Sequence, residues 1–146
     1  MSFERLAELL FPDVERDADD YERLYPERKL PEGAQLTRIA PSPTGFIHLG
    51  NLYGALTDER LAHQSGGIFF LRIEDTDAKR EVANGAEMIR ACLRSFGLVF
   101  DEGALEGGDR GAYGPYRQRE LAHIYHAFAK KLVLEGKAYP CFCSEE

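Results

Sequence analysis

Apolar and polar residues along the chain alternate between helical and extended spacing. Phe3, Leu6, Leu9 and Leu10 recur at helical intervals, and Pro12 ends that stretch. Residues 13–31 are charged and broken by Pro26 and Pro31. They read as a surface segment, with Tyr21, Leu24 and Tyr25 as docking points on the main domain. From Gln35, Leu36 and Ile39 lead into Pro41, which predicts a short strand ending at the proline. A helix is predicted over 48–64, with Leu49, Leu52, Tyr53, Leu56 and Arg60 on its inner face and Gly66-Gly67 closing it. Ile68 to Ile73 is a near-continuous apolar run of strand length, as in strands covered on both faces.

The second half repeats the alternation. Asn84 followed by Glu87 three residues on predicts a capping box. The helix it opens turns Ala86, Ile89, Leu93 and Phe96 inward and stops at Gly97. Leu98-Val99-Phe100 predicts a third strand, and the glycine-rich, acidic stretch 101–114 a loop. A third helix is expected over 118–135, with Leu121, Ile124, Tyr125, Phe128 and Leu132 inside and Lys130 and Lys131 at its C-terminal dipole. Strand–helix–strand–helix–strand with right-handed crossovers is an α/β arrangement: the first half of a Rossmann-like doubly wound parallel sheet, here behind an N-terminal helical extension. The expected divisions are 1–35 for the extension, 36–112 for the half-sheet, and 113–146 for a helix and the segment beyond it.

Composition narrows the class without choosing a function. A hydrophobic share of 44% and a charged share of 29% are those of an ordinary globular protein. No apolar run approaches the ~20 residues of a membrane span, and the N-terminus carries acids where a secretory signal needs bases. Three cysteines, an odd number, argue against a disulfide framework and for the cytoplasm. The net charge is −7, of which −5 falls in residues 1–35 (ten acids, five bases), so charge by itself supports no nucleic-acid partner.

The chemistry concentrates where the first strand meets the first helix. Pro41-Ser42-Pro43-Thr44-Gly45 precedes His48 at a helix start, where free backbone N–H groups and the dipole attract anions. Ser42 and Thr44 add hydroxyls, Gly45 opens the backbone to a ligand, His48 adds an imidazole donor, and Gly50 leaves the helix surface bare for a base or ribose. This suits a nucleoside triphosphate whose leaving pyrophosphate must be stabilised. With no G-x-G-x-x-G and no Walker lysine, dinucleotide and P-loop readings fail. The residues alone leave open an ordinary capping turn with a chance histidine.

Taken together, Pro41–Gly45, His48-Leu49-Gly50-Asn51, the strand end Leu71-Arg72-Ile73-Glu74-Asp75-Thr76-Asp77 and Gly136 to Cys143 resemble class I aminoacyl-tRNA synthetases, the glutamyl enzymes in particular. The resemblance covers residues 36–146. It implies a ligase that activates L-glutamate with ATP and Mg2+ to glutamyl-adenylate and transfers it to the 3′ end of tRNA(Glu), working as a cytoplasmic monomer. His48 and Asn51 would be catalytic, and Thr44, His48, Gly50 and Asn51 would bind ATP. Arg38 would take the substrate's side-chain carboxylate, Ser42 would hydrogen-bond the amino acid, and Glu74 would hold its ammonium group. Asp77 and Arg80 would meet the tRNA acceptor end, and residues 113–146 would begin the acceptor-binding insertion.

A plain salt bridge between Arg38 and Glu74 is the competing reading of that pair. Asn51 stands where the parent signature has a second histidine, and the family's Tyr-x-Gln-Ser-x-Arg appears as Tyr116-Arg117-Gln118-Arg119-Glu120-Leu121, without its Ser and Arg. Cys141 and Cys143 form half of a zinc site that only a longer protein would complete; His123 and His126 are remote candidates to assist, and Cys92 is expected to be buried packing. The second signature of the class, Lys-Met-Ser-Lys-Ser, is absent. The chain is therefore expected to be an N-terminal piece of the enzyme, inactive alone. The alternatives are a non-catalytic nucleotide- or glutamate-binding half-domain, and the related enzyme that glutamylates a modified anticodon base of tRNA(Asp).

Overall fold

A computed structural model of the chain describes residues 2–144. They form two compact units, one from residues within 1–27 and 121–146 and the other from 28–120. In chain order the elements are α1 (Phe3–Leu10), α2 (Ala18–Leu24), β1 (Leu36–Ile39), α3 (Leu49–Gln64), β2 (Ile68–Leu71), α4 (Gly85–Ser95), β3 (Glu102–Leu105), β4 (Gly108–Arg110) and α5 (Ala122–Leu134), with a 3-10 turn at Gln118–Leu121 before α5.

The larger unit is a four-stranded sheet in the order β1-β2-β3-β4. β1, β2 and β3 run parallel, as the strand–helix alternation predicts, with Ile39 opposite Leu71 and Leu71 opposite Gly103. β4 turns back antiparallel on β3, so the sheet is mixed. Phe69, Leu71 and Ile73 point into the core and are fully buried; Ile89 and Leu93 of α4 and Ala55 and Ala62 of α3 pack there with them. The opposite face of β2, Ile68, Phe70 and Arg72, is only half-buried, so the run is not covered equally on both sides as expected.

The third strand lies further along than predicted. Leu98 to Phe100 is not a strand: Leu98 is buried, Val99 is 60% exposed, and Phe100 stacks on Phe69 at 4.8 Å. The strand is Glu102–Leu105, inside the expected loop. Its Gly103 sits at φ +130, and a Cβ there would lie 2.3 Å from the Leu71 carbonyl oxygen. The close approach that glycine allows decided the register, where apolar content pointed elsewhere.

The helices turn different faces inward from those predicted. On α3, Leu49, Tyr53 and Leu56 are exposed, and the sheet is met by Leu52, Ala55, Glu59 and Ala62. Small Ala55 and Ala62 let the helix approach closely, which larger residues on the other stripe would prevent. Buried Glu59 accepts from His63 Nδ1 at 3.1 Å, while His63 Nε2 faces Asp101 Oδ2 at 3.0 Å; Arg60 pairs with Glu59 at 3.4 Å. On α4, Phe96 is 60% exposed and Cys92 only half-buried, against expectation. Asn84 precedes α4 in the left-handed region (φ 59) with no capping bond, and Glu87 pairs with Arg90 at 2.7 Å, so no capping box forms.

The smaller unit packs α1 and α2 on α5. Residues 13–31, read as an irregular surface segment, contain α2, opened by a capping box in which Asp17 accepts from Asp20 N at 2.8 Å and Asp20 from Asp17 N at 3.1 Å. The predicted inner face of α5 is largely outside: Tyr125, Phe128 and Leu132 are exposed. The face toward the extension is instead His123 against Tyr21 (ring centroids 5.7 Å), His126 against Phe11 (5.8 Å), Lys130 on Glu8 (2.7 Å) and Lys131 on Asp19 (2.8 Å). Acids of the extension are thus the partners of the lysines on α5.

Candidate functional site

The turn after β1 is built to hold still. Pro43 is fully buried, its carbonyl accepts from Val82 N at 2.9 Å, and a Cβ on Gly85 would come within 2.6 Å of that same oxygen. Glycine at 85 therefore lets α4 begin directly against the loop. His48 is the N-cap of α3, one residue before the helix, and its ring makes no capping bond. The amides of Leu49, Gly50 and Asn51 precede the first intrahelical acceptor pairing, Leu52 N on the His48 carbonyl at 3.1 Å, so they have no partner within the helix.

These residues line an open cleft of about 210 Å³ formed by Pro41, Ser42, Thr44, Gly45, Phe46, Ile47, His48 and Asn51. Four predicted ligands, Ser42, Thr44, His48 and Asn51, meet there, and their side chains make no hydrogen bond among the described residues. No carboxylate lines the cleft or occupies the first turn of α3, and open space lies beside Gly45 and Gly50. A donor-rich, acid-free opening at a helix start is suited to phosphate oxygens. Its volume of about 210 Å³ is smaller than a typical small-molecule pocket and of a size for a phosphate group rather than a whole nucleotide. A larger cleft of about 800 Å³ lies in the helical unit, where His123 and His126 are already packed on aromatic rings.

Backbone pairing brings the acidic strand end to this turn. Arg72 N donates to the Ile39 carbonyl and Glu74 N to that of Pro41, both at 3.0 Å. The other flank of the same segment pairs with 116–118: Ile73 N donates to the Tyr116 carbonyl and Gln118 N to that of Ile73, both at 2.9 Å. Glu74 Oε1 lies 4.0 Å from Arg38 Nη1, and 2.6 Å from Arg72 Nη2. The expected Arg38–Glu74 approach is present but loose, and Arg72 is the closer partner. Sequence reasoning passed over Arg72, although period-two alternation from Glu74 puts it on the same face of the strand.

The neighbours of Glu74 are anchored separately. Asp75 is buried; its Oδ1 accepts from Arg119 N at 2.8 Å and its Oδ2 lies 3.9 Å from Arg117 Nη1. The Arg119 guanidinium reaches the Asp75 carbonyl and bonds Glu81 Oε2 at 2.8 Å. Arg119, which stands where the family has its Ser, thus secures the strand end together with Arg117. Asp77 and Arg80 pair with each other at 2.5 Å, and that bond holds the half-buried Asp77 carboxyl below its ordinary range.

Cys141 and Cys143 are exposed. Hydrogen bonds from Cys143, backbone first and then side chain, lower the Cys141 thiol's pKa. Among the described residues no group of three or more His, Cys, Asp or Glu is placed to hold a metal ion.

Three parallel strands with an antiparallel edge strand, the first ending in a donor-rich cleft beside an acidic strand end, match the catalytic-domain fold of class I synthetases. Residues 35–146 match the family model described as tRNA synthetases class I (E and Q), catalytic domain, and the chain belongs to that family. It is 58% identical to a glutamate–tRNA ligase of Acetivibrio thermocellus and 52% identical to one of Clostridium perfringens, in each case over 100% of this chain and 27% of the relative. The chain therefore spans about a quarter of the length of these relatives, which match it through the N-terminal extension as well. A crystal structure of a glutamate tRNA ligase from Elizabethkingia meningosepticum, in complex with its amino acid, is similar at a TM-score of 0.61 and 44% identity, over 66% of this chain and 19% of that one.

Proposed function

We propose that this chain provides the ATP and amino-acid sites of a glutamate–tRNA ligase. The observation that carries the reading is the Glu74 N bond to the Pro41 carbonyl, which sets a carboxylate and two arginines beside the donor-rich cleft. In the reaction, a carboxylate oxygen of glutamate attacks the α-phosphorus of ATP, the bond to the β-phosphate bridging oxygen breaks, and pyrophosphate leaves. A terminal ribose hydroxyl of tRNA(Glu) then displaces AMP from the adenylate.

The residues divide this work by their chemistry. Thr44, His48 and Asn51, with the open amides of α3, take phosphate oxygens; Gly50 leaves room for the ribose or base. Because charge migrates to the departing pyrophosphate, donors fixed there act mainly on the transition state. Ser42 bonds the amino acid, Glu74 accepts its ammonium, and Arg38 grips the side-chain carboxylate, for which a guanidinium fork is matched in shape and charge. The lining of the cleft includes no carboxylate that would hold Mg2+ directly; an ion brought with ATP would supply charge neutralisation to the phosphates. Exposed Arg80 and half-buried Asp77 stand at the turn beyond Glu74, where the tRNA acceptor end would reach. No helix among the described residues is long and apolar enough to cross a membrane, and three free cysteines suit the reducing cytoplasm.

Glutamate-dependent ATP–pyrophosphate exchange in the longer enzyme tests this. Glu74→Ala is expected to raise KM for glutamate on the order of a hundredfold and leave KM for ATP nearly unchanged. An unaltered glutamate KM overturns the assignment, and exchange supported by a different amino acid overturns the substrate. The 146-residue chain alone is expected to show no exchange.

A further inference from the structure

Two arginines converge on Glu74, and the geometry separates their tasks. Arg72 Nη2 donates to Oε1 at 2.6 Å, while Arg38 Nη1 is 4.0 Å from the same oxygen. The Arg72 side chain is 25% exposed and that of Arg38 47%. The Arg72 backbone is pinned by its amide bond to the Ile39 carbonyl at 3.0 Å, so its guanidinium is offered from a fixed ladder position. Its Nε is removed from solvent and has no hydrogen-bond partner among the described residues. Glu74 Oε2 makes no bond among the described residues.

We infer that Arg72 is the positioning residue of the amino-acid site: it holds Glu74 through Oε1 and so presents Oε2 to the ligand's ammonium group, which leaves Arg38 uncommitted and free to take a carboxylate. With Arg38 as its one nearby arginine, Glu74 would compete with the substrate carboxylate for that guanidinium. With two, the partially buried one serves the protein and the exposed one serves the substrate. Arg72 acts through Glu74, so its effect is confined to ligands that carry an ammonium. This rests on the assignment of Glu74 proposed above.

The test compares L-glutamate with glutarate, which keeps both carboxylates and lacks the ammonium, by calorimetric titration of the longer enzyme or by inhibition of ATP–pyrophosphate exchange. Arg72→Gln is expected to weaken L-glutamate at least tenfold while glutarate changes less than twofold; Arg72→Lys is expected to be intermediate. Combined with Glu74→Gln, it is expected to cost no more than Glu74→Gln alone. Equal weakening of both ligands overturns the inference, because Arg72 would then touch a carboxylate or merely support the fold. If Glu74→Gln abolishes the preference for glutamate over glutarate and Arg72→Gln does not, the inference fails while the Glu74 assignment stands. If Glu74→Gln leaves the preference intact, the Glu74 assignment itself fails. Should Arg72→Gln not fold, Arg72→Lys decides: a three- to tenfold loss limited to glutamate supports the inference, and an equal loss for both ligands overturns it.

Discussion

Two charged clusters in the sheet unit are built from similar residues and behave oppositely. In the first, Arg28 grips Glu102 with two bonds of 2.9 and 2.7 Å, its guanidinium lies 3.8 Å from the Tyr113 ring centre, and Tyr116 donates its hydroxyl to Glu102 at 2.5 Å. Both charged side chains are nearly buried, at 13% and 15% exposure. Burial, followed by the bond to Glu102, pushes the Tyr116 hydroxyl up to about 12, while the Arg28 bond holds the Glu102 carboxyl below its ordinary range. In the second cluster, around Glu74, one contact is tight, one is loose at 4.0 Å, one carboxylate oxygen is unused and Arg38 is half-exposed. A closed cluster spends its hydrogen-bonding capacity on the fold. An open one holds capacity in reserve, and reserve is what a ligand needs.

The sharpest way to test this contrast is to break the closed cluster. Arg28→Ala leaves the nearly buried Glu102 without its countercharge, with the Tyr116 hydroxyl still bonded to it, and about 3 kcal/mol of stability should be lost, measured by urea unfolding. A loss below 1 kcal/mol would place the pair with ordinary surface bridges. His48→Ala should show the reverse: kcat for adenylate formation in the longer enzyme should fall on the order of a hundredfold, nearly 3 kcal/mol, with Tm almost unmoved. A rise confined to the KM for ATP would mean that His48 binds the ground state and transition state alike.

Gly85→Ala should blur the two behaviours. Its methyl would meet the Pro43 carbonyl at 2.6 Å, and shifting the loop should cost ~1–2 kcal/mol of stability together with a several-fold loss in kcat/KM. Intact exchange activity would show that the loop tolerates displacement. The smallest effect concerns acid. Because the folded pKa of Glu102 is depressed, its contribution is complete above the ordinary carboxylate value of about 4.3 and is lost as pH falls through the lower, folded value. Glu102→Gln should therefore flatten the acid limb of the stability curve, by ~1 kcal/mol; an unchanged limb would assign acid sensitivity to other carboxylates.

What was legible in the chain was local. Pro41 to Asn51 announced a strand-to-helix turn with anion chemistry, since prolines, a glycine and a capping position act over a few residues. Glu74 was legible through its motif. The alternation also located β1, β2 and both crossover helices, because each must bury a stripe at its own period. It failed where packing depth rather than hydrophobicity set the answer: on α3, alanines face the sheet and Tyr53 faces solvent, and β3 forms around a glycine that no propensity favours.

By itself, then, the sequence determined the succession β1, α3, β2, α4 and α5, the parallel core of the sheet and the donor-rich turn, all consequences of spacing along the chain. Only the tertiary structure decided which arginine belongs to Glu74 and which remains for a ligand. Arg38 and Arg72 carry the same charge and stand on neighbouring segments, Arg72 two residues past the register partner of Arg38, Phe70. The 2.6 and 4.0 Å separations that distinguish them arise from strand register and from the burial of one guanidinium stem, neither of which is written in either residue's type.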